Sequence, residues 1–193
     1  MKKIKENIKK EQYTYLMTTL KMDKSITLHR KQKLQIIYSL LYNCGMRVNE
    51  TTQFTKSMLK KLIDEKFIFI ETSKTNTERK LYITESGSKE LKSIYDDLTM
   101  NDEDMIITNI RSKQSLSVNS VIRDTNSYLK YVLGDDTRIT SHSFRQTLIT
   151  DLSSSGVNTK VIKEFIGHSD IKTTMRYIKP SDETISECIE FVR

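Results

Sequence analysis

The stretch SHSFRQTLITDLSSSGVNTKVIKEFIGHSDIKTTMRYIKP, residues 141–180, decides how this chain is read. Its apolar spacing and breakers divide it into short helices. The first spans about 142–155 and stops at Gly156. The second spans about 158–166, with Val161, Ile162, Phe165 and Ile166 apolar, and stops at Gly167. The third starts near Asp170, a residue type suited to an N-cap, and carries Tyr177. Pro180 then opens a final helix, since proline is tolerated in a first turn. Four reactive side chains are spread over these pieces: His142, Arg145, His168 and Tyr177.

His142 and Arg145 are three apart and share a helix face. An arginine fork donates two parallel hydrogen bonds to a phosphate, and a histidine beside it donates another or moves a proton. A phenol, with a pKa of about 10, is a poor nucleophile at neutral pH. Guanidinium and imidazole groups nearby favour the phenolate and stabilise the charge on a five-coordinate phosphorus. The set can therefore hold a phosphodiester, attack it and keep one product attached. Each member alone has a plainer reading: a solvated helix face, a helix-terminal histidine, one tyrosine among nine.

Working outward, residues 1–22 read as a charged helix with a thin stripe of Ile4, Ile8, Tyr15, Leu16 and Leu20. Residues 27–43 form a stronger helix through Leu34, Ile37, Leu40 and Leu41, ended by Gly45. A helix over 56–65 leads into the strand-like run Phe67, Ile68, Phe69, Ile70. Residues 80–84 have strand composition too, so the two read as a β-hairpin with a long polar tip over 71–79. Residues 86–98 are helical, and 99–116 are ambiguous, with a short strand or buried turn at 105–107. A helix follows over 117–133, with Val118, Val121, Ile122, Leu129 and Val132 on one side. The fold class is mainly α with a small antiparallel β-hairpin.

The 193 residues fit one large domain or two small ones and can bury a sizeable core. The net charge of +7 favours a polyanionic partner such as nucleic acid or an anionic membrane, without bearing on fold. Cys44 and Cys188 are far apart and read as reduced thiols, Cys44 in the core. No run approaches the ~18 apolar residues of a membrane span, and no apolar signal region follows the basic N-terminus. The expectation is a cytoplasmic, DNA-associated protein. His29 reads as surface, and three histidines without nearby cysteine or acidic spacing argue against a structural zinc site.

With these parts in place, the chain from about residue 25 onward resembles the tyrosine recombinase (phage integrase) family. Five motifs carry the likeness, in order: Gly45-Met46-Arg47-Val48-Asn49-Glu50; Lys74-Thr75-Asn76-Thr77-Glu78-Arg79; His142-Ser143-Phe144-Arg145; Ile166-Gly167-His168-Ser169; and Thr173-Thr174-Met175-Arg176-Tyr177, with Tyr177 nine residues after His168. The resemblance implies the family's catalytic-domain fold and a division of labour. Arg47 and Arg145 would grip the non-bridging oxygens of the scissile phosphate. His142 and His168 would add hydrogen bonds, with His142 a candidate acceptor of the tyrosine proton. Lys74 would protonate the leaving 5′-oxygen, with Lys80 its nearest competitor, and Tyr177 would join the 3′-phosphate. Glu50 would buttress Arg47, and Arg79 would touch the DNA backbone.

The resemblance further implies double-stranded DNA as partner, a dimer or tetramer on that DNA, and no metal, nucleotide or other cofactor. It leaves room for a non-catalytic DNA-binding regulator of the same fold and for a type IB topoisomerase-like relaxing enzyme. The chain is expected to be a single catalytic domain over 1–193, with an N-terminal helical extension over 1–24. A separate N-terminal DNA-clamping domain is absent from it, so the chain reads either as a minimal recombinase or as a fragment of a longer protein. A last helix over 181–193 would pack on its own domain or on a neighbouring subunit.

Overall fold

A computed structural model describes residues 6–72, 77–109, 111–112, 114–168, 170–177 and 190. Two compact units emerge, Met1–Leu148 and Ile149–Arg193. In the first, α1 (Lys10–Met22), α2 (Leu28–Cys44), the one-turn α3 (Val48–Thr51) and α4 (Lys56–Glu65) precede a hairpin of β1 (Phe67–Thr72) and β2 (Thr77–Tyr82). Then come α5 (Glu85–Tyr95), α6 (Val118–Leu133) and the start of α7 (Ser141–Ser154). The second unit holds the rest of α7, then α8 (Thr159–Ile166) and α9 (Ile171–Met175). The mainly helical architecture with one two-stranded antiparallel sheet agrees with the sequence reading.

The core of the first unit is built around α2. Thr27 caps it by accepting from the Arg30 N–H at 3.3 Å. Leu34, Ile36, Ile37, Tyr38, Leu40, Leu41 and Cys44 are all buried, so this helix is apolar around most of its circumference, as a central helix must be. Burying each such side chain contributes about 1.5–3 kcal/mol. Tyr38 stacks on Phe144 at 5.8 Å between ring centroids, and Tyr13 meets the same ring edge-on at 6.3 Å. Phe144 thus fastens the start of α7 to α1 and α2. Burial pushes the Cys44 thiol up to about 12, so it serves as a small core group.

Several sequence expectations are corrected. The first helix begins at Lys10, where the Lys9 N–H is accepted by Gln12 Oε1 at 2.9 Å. Tyr13 takes the buried place expected of Tyr15, which is 59% exposed. The α3 turn was not expected. The hairpin strands run further than composition suggested, with Glu71 paired to Glu78 and Thr72 to Thr77. Arg79 is therefore a strand residue, opposite Ile70 on the buried face, rather than part of a loop. Residues 105–107 form a buried turn: Met105 bridges Thr55, and Ile106 and Ile107 are buried. His29 is half-buried and its Nε2 lies 3.0 Å from the Thr108 carbonyl oxygen. The helix expected over 181–193 lies outside the described residues. Among the described residues, no helix is long and apolar enough to cross a membrane.

Candidate active site

In the first unit the site starts from a helix end. Gly45 takes the left-handed conformation, φ 60°, that closes α2. The chain then turns at once into α3, with Arg47 at its N-cap. Glu50, three residues on, accepts the Arg47 backbone N–H at 2.9 Å through Oε2 and the Arg47 Nη1 at 2.9 Å through Oε1. That reach back from the third helical residue is one half of a capping box. The same carboxylate accepts from Arg79 Nη2 at 2.8 Å. Glu50 is thus a buried anion between two guanidinium groups. Burial pushes its carboxyl up, but the charge and hydrogen bond of Arg79, with the backbone and charge of Arg47, outweigh that and hold it below the ordinary carboxylate range. Arg79, at 8% exposure, is directed to Glu50, whereas the resemblance implied a contact with DNA. Gln53 ties the hairpin to this turn: its Oε1 accepts from the Glu71 N–H at 3.0 Å and its Nε2 donates to the Glu50 carbonyl at 3.0 Å.

The second arginine arrives from α7. The Ser141 N–H donates to Asn126 Oδ1 of α6 at 2.8 Å, and Ser143 Oγ accepts the Thr140 N–H at 3.0 Å. With Phe144 in the core, His142 and Arg145 project together, as their spacing predicts. Arg145 is only 2% exposed, and its Nη1 donates to the Gly45 carbonyl at 2.7 Å. The glycine that ends α2 therefore delivers Arg47 and also orients Arg145. Arg47, His142 and Arg145 line one cavity of about 350 Å³ with Met46, Val48, Asn49, Ser141, Val118 and Ile122. Two guanidinium groups and an imidazole, beside apolar walls, suit an anion: a low local dielectric strengthens each charge–charge contact.

In the second unit, α8 is capped by Asn158, which accepts the Lys160 N–H at 2.8 Å, and closes at Gly167, φ 71°. The His168 N–H reaches back to the Lys163 carbonyl at 3.0 Å, a Schellman-type closure that aims the imidazole. His168 Nδ1 lies 2.8 Å from Thr174 Oγ1. Tyr177 follows in the turn after α9 rather than in the helix itself, and its N–H donates to the Thr174 carbonyl at 3.0 Å. The rings of His168 and Tyr177 are 6.5 Å apart between centroids and inclined by 25°. Asp170 caps α9, accepting the Lys172 N–H at 2.9 Å, as its residue type predicts.

The structure thus groups Arg47, Glu50, Arg79, His142 and Arg145 in one unit, and His168 with Tyr177 in the other. Lys74 lies outside the described residues. Lys80 faces away from the buried side of the hairpin, with its Nζ 3.7 Å from the centroid of the Phe67 ring and 5.0 Å from that of Tyr82. Thr174 is the residue that sequence reading did not single out. It is fully buried, and its side chain and carbonyl contact His168 and Tyr177. Its signal lay in the paired threonines ahead of the tyrosine.

Comparison with known proteins bears on the whole of this arrangement. A tyrosine recombinase from Pseudothermotoga lettingae is 27% identical over 154 residues, 80% of this chain and 52% of that protein. Tyrosine recombinase XerC of Leptospira interrogans is 30% identical over 150 residues, 77% of this chain and 47% of its own. The chain spans about half the length of the curated relatives it matches. The structure of the Tn1549 transposon integrase in complex with a circular intermediate DNA shares the fold, with a TM-score of 0.72 at 16% identity, over 97% of this chain and 66% of that one. The model of the phage integrase family matches residues 6–184, a span that includes all five motifs, and the chain belongs to that family.

Proposed function

We propose that the chain is a tyrosine recombinase, a DNA strand transferase that cuts and rejoins double-stranded DNA through a 3′-phosphotyrosine link. The observation that carries this reading is the meeting of Arg47, His142 and Arg145 on one cavity, with Arg145 buried and oriented by the Gly45 carbonyl. In the proposed reaction the two arginines hold the non-bridging oxygens of one phosphodiester. Tyr177 Oη forms a bond to phosphorus as the bond to the 5′-oxygen breaks. The phenolic proton passes to His142 or to water, and Lys74 protonates the departing 5′-oxygen. His168, held by Thr174, adds a hydrogen bond to the charge that builds up. A 5′-hydroxyl from a second strand then attacks the phosphotyrosine and releases Tyr177, so bond energy is conserved without ATP. Two copies or more would act together on DNA.

The test is a nicked DNA substrate that traps the covalent product. The expected result is a protein–DNA adduct that forms in EDTA and maps to Tyr177, with none in Tyr177→Phe. If Tyr177→Phe formed the adduct as well as the parent protein, or if none formed while a control recombinase succeeded, the reading would fail. Removing one electrostatic donor from such a site costs on the order of 10²–10³ in rate. Arg145→Ala and Arg47→Ala should each slow adduct formation by that factor.

A further inference from the structure

The cavity lined by Arg47, His142 and Arg145 is lined by apolar side chains as well. Among them are Val118 and Ile122, one helical turn apart on α6. Both are partly open to solvent, at 39% and 36% exposure, while Met46 and Val48, which also line the cavity, are buried. Scattered exposed apolar residues need no explanation, but these two stand side by side at a cavity lined by two arginines. The cavity, at about 350 Å³, is at the small end of ligand pockets and larger than one phosphate group requires. What enters beside the phosphate must therefore offer apolar surface on a polyanion.

Resting on the reading of the cavity as a DNA phosphate site, we infer that Val118 and Ile122 form an apolar shoulder for a thymine close to the clamped phosphate. The thymine 5-methyl group is the one apolar feature that bases present in the major groove, and aliphatic side chains are suited to it. In this arrangement the arginines fix the register of the strand without reading sequence. The shoulder then favours thymine over cytosine at one position. Its neighbours on α6, Asn119 and Arg123, are exposed and polar, so the apolar pair is a local feature of the cavity side of that helix.

The experiment uses the mapped cleavage site of the full chain and replaces each thymine within two nucleotides of the cleaved phosphate by deoxyuridine, which removes only the methyl group. One buried methyl is worth about 0.8 kcal/mol, or roughly fourfold. The expected result is one position where deoxyuridine lowers the rate of adduct formation by about that factor. In Val118→Ala and Ile122→Ala the ratio of the two substrates should fall toward one, whatever the absolute rate. A cleavage site with no thymine in this window, or no position sensitive to the methyl group, would overturn the inference while leaving the proposed reaction intact. So would a methyl penalty that persists in both variants while their thermal unfolding midpoints drop, because the pair would then pack against protein. Absence of any adduct with the parent protein would instead remove the reading on which the inference rests.

Discussion

Glu50 bears more of the site than its distance from the chemistry suggests. It is buried, and its two oxygens accept from Arg47 and Arg79. Removing one partner of a buried ion pair costs about 3–5 kcal/mol, because the remaining charge is left uncompensated. Glu50→Gln should therefore destabilise the first unit by about 3 kcal/mol at neutral pH, as measured by urea unfolding. The pH dependence has a definite sign. The folded carboxyl lies below its unfolded value, so within that window the unfolded chain binds more protons and stability rises with pH. The contribution is complete above about pH 5 and is lost as pH falls through the folded value. The gap between parent and Glu50→Gln should narrow steadily as pH falls below about 5. A gap that stayed constant would show that Glu50 acts by shape alone. Thr174 holds the matching place in the second unit. Thr174→Val should slow adduct formation about fivefold, since roughly 1 kcal/mol of hydrogen bonding would no longer orient His168. Thr174→Ser should restore most of it. Equal loss in both variants would indicate a packing role instead.

At the scale of elements, the end of α2 is the hinge of the arrangement. Gly45 sits at φ 60°, where a β-carbon costs roughly 1–2 kcal/mol. Gly45→Ala should lower stability by about that amount. It should also reduce adduct formation beyond what the stability loss explains, because the Gly45 carbonyl orients Arg145 and the next two residues deliver Arg47. An adduct rate unchanged at full folding would show that the glycine only closes the helix. This glycine was legible in sequence, as were the α2, α4 and α6 spans, because helix ends and helical periodicity leave local marks. The hairpin was less legible. Glu71, Thr72, Thr77 and Glu78 look like loop residues because their side chains are polar, yet their backbones continue the ladder. That register, set by tertiary pairing, puts Arg79 beside Ile70 on the inner face and sends it to Glu50. Reading 71–79 as a loop hid this pairing, so the contact of Arg79 with Glu50 was not expected. The turn position of Tyr177 was missed for a related reason: α9 stops at Met175, and its polar, threonine-rich sequence carries no mark of so early an end.

At the scale of the molecule, a net charge of +7 favours a polyanionic partner, and charge predicts how the proposed binding to DNA should respond to salt. Each phosphate neutralised by a cationic side chain releases counterions, so log K against log salt falls with a slope of about −0.9 per contact. If Arg47 and Arg145 hold the same phosphate, the one that remains after either is removed still neutralises part of its charge, so less than one full contact is lost. Arg47→Ala and Arg145→Ala should therefore each flatten the slope by less than about 0.9, and the double variant by no more than about one contact in total. Tyr177→Phe, which removes no charge, should leave the slope unchanged while abolishing the adduct. Binding isotherms at a series of salt concentrations would separate these cases. A double variant that flattened the slope by two full contacts would place the arginines on different phosphates and would break the shared clamp on which the proposed attack depends.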